Sequence, residues 1–150
     1  MSFSKSLKHP DISGFEFVQD ILQNNPGAGI NFDFLLYHPV QGYLLFELLL
    51  CEETQPNVNP WTSHPRYYWH KNAMKFISLW NVTQSLHGTL YLVNYAKKGT
   101  LHENKVKLMK VTDCTHQGIT TTDICCSRDD FAVWFRNLNK EILALTKVFP

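Results

Sequence analysis

The sequence predicts an α/β fold in which a mixed central sheet is flanked by helices. Apolar residues recur every third or fourth position in some segments and every second position in others, and a strand, a helix and a second strand follow one another in mid-chain. The predicted order is α-β-β-α-β-β-α. A chain of 150 residues, 44% of them hydrophobic, can form one core, so we expect a single domain over residues 1–150.

The first predicted element is a helix over roughly Gly14 to Asn25. Residues 1–12 are polar and are expected to be loose until Asp11 or Ser13 caps this helix. Glu16 lies in its first turn, where the helix dipole favours an acid. Apolar residues at helical spacing predict its buried face: Phe15, Val18, Ile21 and Leu22.

The stretch from Ile30 to Glu53 predicts a β-hairpin that carries two buried acids. Turn residues at 38–42 separate two extended runs whose apolar residues alternate. Asp33 interrupts the first run, and Glu47 lies in the middle of the second, Tyr43 to Cys51. Burying an ionised carboxylate costs several kcal/mol unless a metal, a cation or hydrogen-bond donors compensate it. Two such acids on neighbouring strands therefore indicate a site.

After the hairpin, residues 54–65 predict a loop, and a helix follows from Pro65. The buried stripe of that helix is predicted to contain five residues: Trp69, Ala73, Phe76, Ile77 and Trp80. A strand over Thr89 to Ala96 completes a crossover unit, so we expect it to run parallel to a strand already in the sheet.

The last third of the chain predicts a strand, a short extended piece and a helix. Lys105 to Thr112 alternates with lysines and is expected near the sheet edge, where lysines are tolerated. Gly118 to Cys126 adds the short extended piece. The final helix is capped by Ser127, and its buried face is predicted to hold Phe131, Trp134, Phe135, Leu138 and Ile142.

The charge and the cysteine content limit which partners, cellular location and metal sites we expect. Fourteen basic and 13 acidic residues leave a net charge of +1, so contacts with phosphates must come from a local patch, and tight DNA binding calls for a protein partner or a homodimer. No apolar run approaches about 20 residues and no signal-peptide core is present, which indicates a cytoplasmic protein without a membrane contact. The four cysteines are expected to be reduced. A zinc module remains as one alternative, through Cys114, His116, Cys125 and Cys126.

Together, a helix with an early Glu, a strand with Asp, a tight turn, a strand with Glu, a crossover helix and a further strand resemble the PD-(D/E)XK nuclease-like superfamily over residues 14–96. The resemblance implies a restriction endonuclease-like core. It implies that Asp33 and Glu47 bind Mg²⁺ or Mn²⁺, and that Glu16 matches the acid that many members have on the first helix. Carboxylate oxygens suit these hard cations.

The motif lysine of that superfamily is missing. It lies two residues after the second acid, where this chain has Leu49 in Glu47-Leu48-Leu49. Some members supply the cation from the following helix, so Lys71 and Lys75 are the candidates, and Lys75 is preferred because it lies deeper among apolar residues. Asp33 also follows the first helix within ten residues, which leaves no room for the strand that often precedes the first acid.

The resulting expectation is a metal-dependent deoxyribonuclease of the kind found in phage or bacterial defence, with DNA or alternatively RNA as its substrate. A different class of function is a catalytically inactive nuclease-fold module that binds a protein or nucleic-acid partner, for which Leu49 in the lysine position is the argument. The two acids also have a purely structural interpretation, in which Glu47 forms a buried ion pair and Asp33, at a strand edge, pairs with a loop backbone or a lysine. Residues 66–70 could add an aromatic and basic surface that stacks bases, or they could simply begin a buried helix.

Overall fold

The computed structural model describes residues 12–54 and 57–148. Within them it has three α-helices: α1 (Ser13–Leu22), α2 (Trp69–Ser85) and α3 (Arg128–Val148). It has five strands: β1 (Phe34–His38), β2 (Gly42–Leu50), β3 (Thr89–Tyr95), β4 (Lys105–Thr115) and β5 (Gly118–Ser127). A short 3₁₀ helix over Pro65–Tyr68 leads into α2. The predicted loose segment, with Asp11 as a possible cap, lies outside the described residues except for Ile12.

The strands form one mixed sheet in the order β1-β2-β3-β4-β5. β1 and β2 form the predicted antiparallel hairpin, and β2 runs parallel to β3 across the α2 crossover, as expected. The α/β fold with a mixed sheet is therefore confirmed. The order differs in one respect, because the piece at Gly118 is a full strand of ten residues that pairs with β4.

Alternation along the strands sends apolar side chains to both faces of the sheet. On one face Leu45, Leu92 and Met109 pack with Phe76 and Leu79 of α2. On the other, core residues of the strands pack with α3, whose contributing side chains are Phe131, Trp134, Phe135, Leu138 and Ile142. The predicted buried faces of both helices are confirmed, and so is the α3 cap, where Ser127 Oγ accepts the N–H of Asp130 at 3.0 Å.

The predicted buried face of α1 is wrong. The helix ends at Leu22, three residues earlier than expected, and none of its residues is buried. Phe15 and Ile21 are 57% and 63% exposed. Helical periodicity shows which side of α1 is apolar, but α2 and α3 supply the cover of the two sheet faces.

β4 lies near the edge of the sheet, as expected, between β3 and the edge strand β5, but the expectation that its lysines are tolerated through exposure is wrong for one of them. Its Lys107 is only 7% exposed. The Lys107 ammonium donates to the carbonyl oxygens of Trp61 and Ser63, at 3.3 and 3.1 Å, so the loop before α2 compensates its burial. Among the helices of the described residues, none combines the length and apolar character needed to cross a membrane.

Candidate metal and phosphate site

Glu47 is the centre of the candidate site. It lies in the middle of β2 on the face covered by α2, between Leu45 and Leu49, and it is 5% exposed. Its predicted burial is confirmed. Lys75 reaches it from α2 and forms an ion pair with Glu47 Oε1, while about half of the lysine side chain stays in contact with solvent (49% exposed).

The second carboxylate oxygen of Glu47, Oε2, does not take part in the ion pair with Lys75. Oε2 is buried and has no hydrogen-bond partner among the described residues. Burial raises the pKa of Glu47, and the nearby carboxylate of Asp33 raises it further, while Lys75 acts in the opposite direction. The Asp33 and Glu47 carboxylates lie close together, and a bound cation would offset the repulsion between their charges.

Asp33 occupies a different place from the one expected. It lies in the bend before β1, not within the strand, and it is exposed, so the prediction of two buried acids is wrong for this residue. Strand pairing begins one residue later, at Phe34 with Phe46. The Asp33 carboxylate then accepts the N–H of Leu48 through Oδ2 at 2.7 Å, which holds it beside the middle of β2.

The two candidate lysines differ in whether they contact Glu47. Lys75 contacts Glu47, whereas Lys71 lies one turn earlier on α2, is exposed, and has no described ion pair. Glu16 is exposed on α1, and no described contact joins it to Asp33 or Glu47, so its role in the outer shell of the site stays a prediction.

Within residues 12–54 and 57–148, no group of three or more His, Cys, Asp or Glu side chains is arranged to hold a metal ion. The proposed zinc quartet therefore gains no support from the fold. Cys114 is buried and Cys125 is exposed, and burial together with Asp113 raises the pKa of Cys114 to about 11.

An open cleft of about 320 Å³ leads to Lys75. One wall is formed by the segment Gly29 to Asn31, and the other by Met74, Lys75 and Ser78 of α2. The cleft gives the exposed end of Lys75 access to a ligand from solvent.

Sequence reasoning missed a second polar cluster on the same sheet face. His64 Nε2 lies 2.7 Å from Thr121 Oγ1, and Lys107 Nζ lies 3.8 Å from Asp123. Burial lowers the pKa of His64. Asn94 donates from Nδ2 to the carbonyls of Pro60 and Ser63, at 3.1 and 2.8 Å.

These contacts tie the loop that precedes α2 to β3, β4 and β5, so they determine where the helix carrying Lys75 begins. The one available signal in the sequence was Lys107, which alternates in phase with the buried Met109 and Val111.

No protein-family model matches the sequence, and comparisons with curated proteins and with solved structures find no match. Membership of the nuclease-like superfamily therefore stays a prediction that rests on the hairpin and its acids. The chemistry of the site is argued below from its own geometry.

Proposed function

We propose that the protein is a metal-dependent nuclease that hydrolyses phosphodiester bonds of DNA, built on a restriction endonuclease-like core. One observation carries the proposal: Asp33, Glu47 and Lys75 come together from a bend, a strand and a helix that are distant in sequence. Glu47 Oε2 is buried and has no hydrogen-bond partner among the described residues, so it is an acceptor that a bound ion can use. A cytoplasmic location and a role in phage or bacterial defence belong to the same proposal.

The residues present fit Mg²⁺ or Mn²⁺. Mg²⁺ is usually held by one or two carboxylates, with waters and substrate phosphates completing its coordination, so Asp33 and Glu47 suffice as protein ligands. When bound, such an ion lowers the pKa of a coordinated water and neutralises charge that develops on the phosphoryl group. Asp33 is held for this role by the N–H of Leu48.

Lys75 would take the part of the missing motif lysine. Leu49 occupies the motif position and packs against the core, so β2 supplies no cation there. Lys75 brings one to the same carboxylate from α2, with about half of its side chain exposed. A positioned cation that stabilises a phosphoryl transition state is commonly worth about 10²-fold or more in rate.

One observation favours a second candidate, an inactive nuclease-fold module that binds a protein or nucleic-acid partner. The contact between Lys75 and Glu47 is also what a structural ion pair would look like. The two candidates differ in what Glu47 is for, and its replacement distinguishes them.

The test is nicking and cleavage of supercoiled, linear and single-stranded DNA, with an RNA arm, in Mg²⁺ and in Mn²⁺. Glu47→Ala should abolish cleavage, and Lys75→Met should reduce the rate by about 10²-fold. Glu53→Ala and Lys140→Met change exposed residues outside the site and should cleave like the wild type. Folded wild-type protein that cuts none of these substrates would rule out the enzyme and leave the binding module.

A further inference from the structure

The segment that leads into α2 divides into an inner and an outer side. Tyr68 and Trp69 turn inward: Trp69 is buried and stacks on Phe76, with ring centroids 5.8 Å apart. The outward side carries five exposed residues that we call the Tyr67–Lys75 strip: Arg66, Tyr67, His70, Lys71 and Lys75. Residues three and four apart on a helix are neighbours, so the strip runs continuously along one side of it.

Tyr67 is presented to solvent in a defined orientation. It is 68% exposed, yet the Arg66 guanidinium lies over its ring, 4.9 Å from the centroid. Arg66 Nη2 also donates to the Tyr67 hydroxyl at 3.0 Å. An exposed ring held by a guanidinium is the kind of platform on which unpaired nucleobases stack.

The charge of the strip complements a polynucleotide backbone. It contains Arg66 and Lys71, which have no described ion pair, and Lys75, which pairs with Glu47, and α2 contains no acidic residue. The whole chain has a net charge of only +1, so this concentration of cations is local. It ends at Lys75, where the acids of the proposed catalytic site begin.

The length of the strip matches a few nucleotides. Lys75 lies eight positions after Tyr67, which is about 12–13 Å along the 3₁₀ turn and α2. Stacked nucleotides advance by about 3.4 Å, so a base on Tyr67 would lie two to four nucleotides from a phosphate at Lys75. A base can reach the ring of Tyr67 only when it is outside a duplex stack.

We propose that the Tyr67–Lys75 strip binds single-stranded DNA, with a base stacked on Tyr67 and the intervening phosphates beside Lys71, so that the strand is led to the Glu47–Lys75 site. The part of this inference that leads the strand to the Glu47–Lys75 site rests on the proposed function, whereas binding of the strand requires no catalysis.

The test is fluorescence anisotropy in EDTA with labelled oligothymidylate of about 12 nucleotides and with a duplex of the same length. Tyr67→Ala should weaken binding of the single strand by about 5- to 150-fold and leave duplex binding unchanged. Lys71→Ala should reduce the slope of log affinity against log salt by about 0.7. The matched controls are Tyr37→Ala, an exposed tyrosine on β1, and Lys140→Ala on α3, on the opposite sheet face.

Equal affinity of Tyr67→Ala and wild type for oligothymidylate would overturn the inference, and so would a wild-type preference for duplex. Tighter binding of oligouridylate would overturn the assignment to DNA. Binding that depends on Tyr67, in a protein that cuts nothing, would uphold the inference and refute the proposed function. If the wild type cleaves DNA and Tyr67→Ala binds the single strand as tightly as the wild type, the proposed function is upheld and this inference is refuted.

Discussion

Glu47→Gln should make the metal-free protein more stable at neutral pH. Burial and Asp33 raise the pKa of Glu47 above its ordinary value of 4.5, so the folded protein binds this proton more tightly than the unfolded chain does. Stability from this group is therefore present at low pH and is lost as the pH rises from 4.5 through the higher native pKa. Ionisation of Glu47 therefore destabilises the folded wild type as the pH rises, whereas glutamine does not ionise.

The magnitude follows from the burial of the two partners. Replacing both members of a buried ion pair by neutral groups of similar shape is neutral to about 4 kcal/mol stabilising, and Glu47→Gln removes the member of the pair that is buried. Lys75 is 49% exposed, so it can hydrate once its partner is neutral, and losing the pair should cost under about 1 kcal/mol. A net gain of about 1 kcal/mol corresponds to a rise in Tm of about 2–4 °C for a chain of this size.

The same substitution should remove the response to metal. For the wild type, Mn²⁺ at ten times its dissociation constant adds about 1.4 kcal/mol to the free energy of unfolding, a further rise in Tm of a few degrees. Glu47→Gln lacks one of two carboxylate ligands and should show almost no shift.

The assay is thermal unfolding at pH 7, followed by circular dichroism, in EDTA and in millimolar Mn²⁺. Glu53→Gln, an exposed acid after β2, is the matched control. A Glu47→Gln protein that melts below the wild type in EDTA, and still gains the wild-type shift in Mn²⁺, would refute the reasoning. Glu47 would then be half of a structural ion pair.

Two further predictions concern the parts of the fold that surround the site. Lys107→Met should lower the free energy of unfolding by about 1–3 kcal/mol, because the carbonyls of Trp61 and Ser63 lose their buried donor. Urea denaturation measures this loss. An equal loss of stability for Lys110→Met, which changes an exposed lysine of the same strand, would contradict the prediction. The double substitution Phe15→Ser and Ile21→Ser should change Tm by less than about 2 °C, because no residue of α1 is buried. A larger fall of Tm in a calorimetric scan would show that α1 belongs to the core.

Local patterns in the sequence were enough to predict most of the fold. The alternation through β2 placed Glu47 on an apolar face, and its burial follows from that alternation alone. The same holds for the inward stripe of α2 and for the Ser127 cap of α3, since helical period and capping depend on residues a few positions apart. The parallel pairing of β2 and β3 followed from the order of strand, helix and strand.

Contacts between distant segments decided the rest. Asp33 lies in a bend because the register of Phe34 with Phe46 determines where β1 begins, and no pattern within β1 contains that register. Lys107 is buried because a loop more than 40 residues earlier supplies carbonyl acceptors.

Contacts between distant segments also decided the position of α1 and the roles of the two candidate lysines. The apolar side of α1 is evident in the sequence, but whether a sheet face is free to cover it depends on where α2 and α3 pack. The sequence left Lys71 and Lys75 as candidates for the lysine that replaces the missing motif lysine. Only the packing of α2 on the sheet shows that Lys75 is the one that contacts Glu47. Periodicity determines which side of an element is apolar, whereas the meeting of side chains from different elements is a property of the assembled structure.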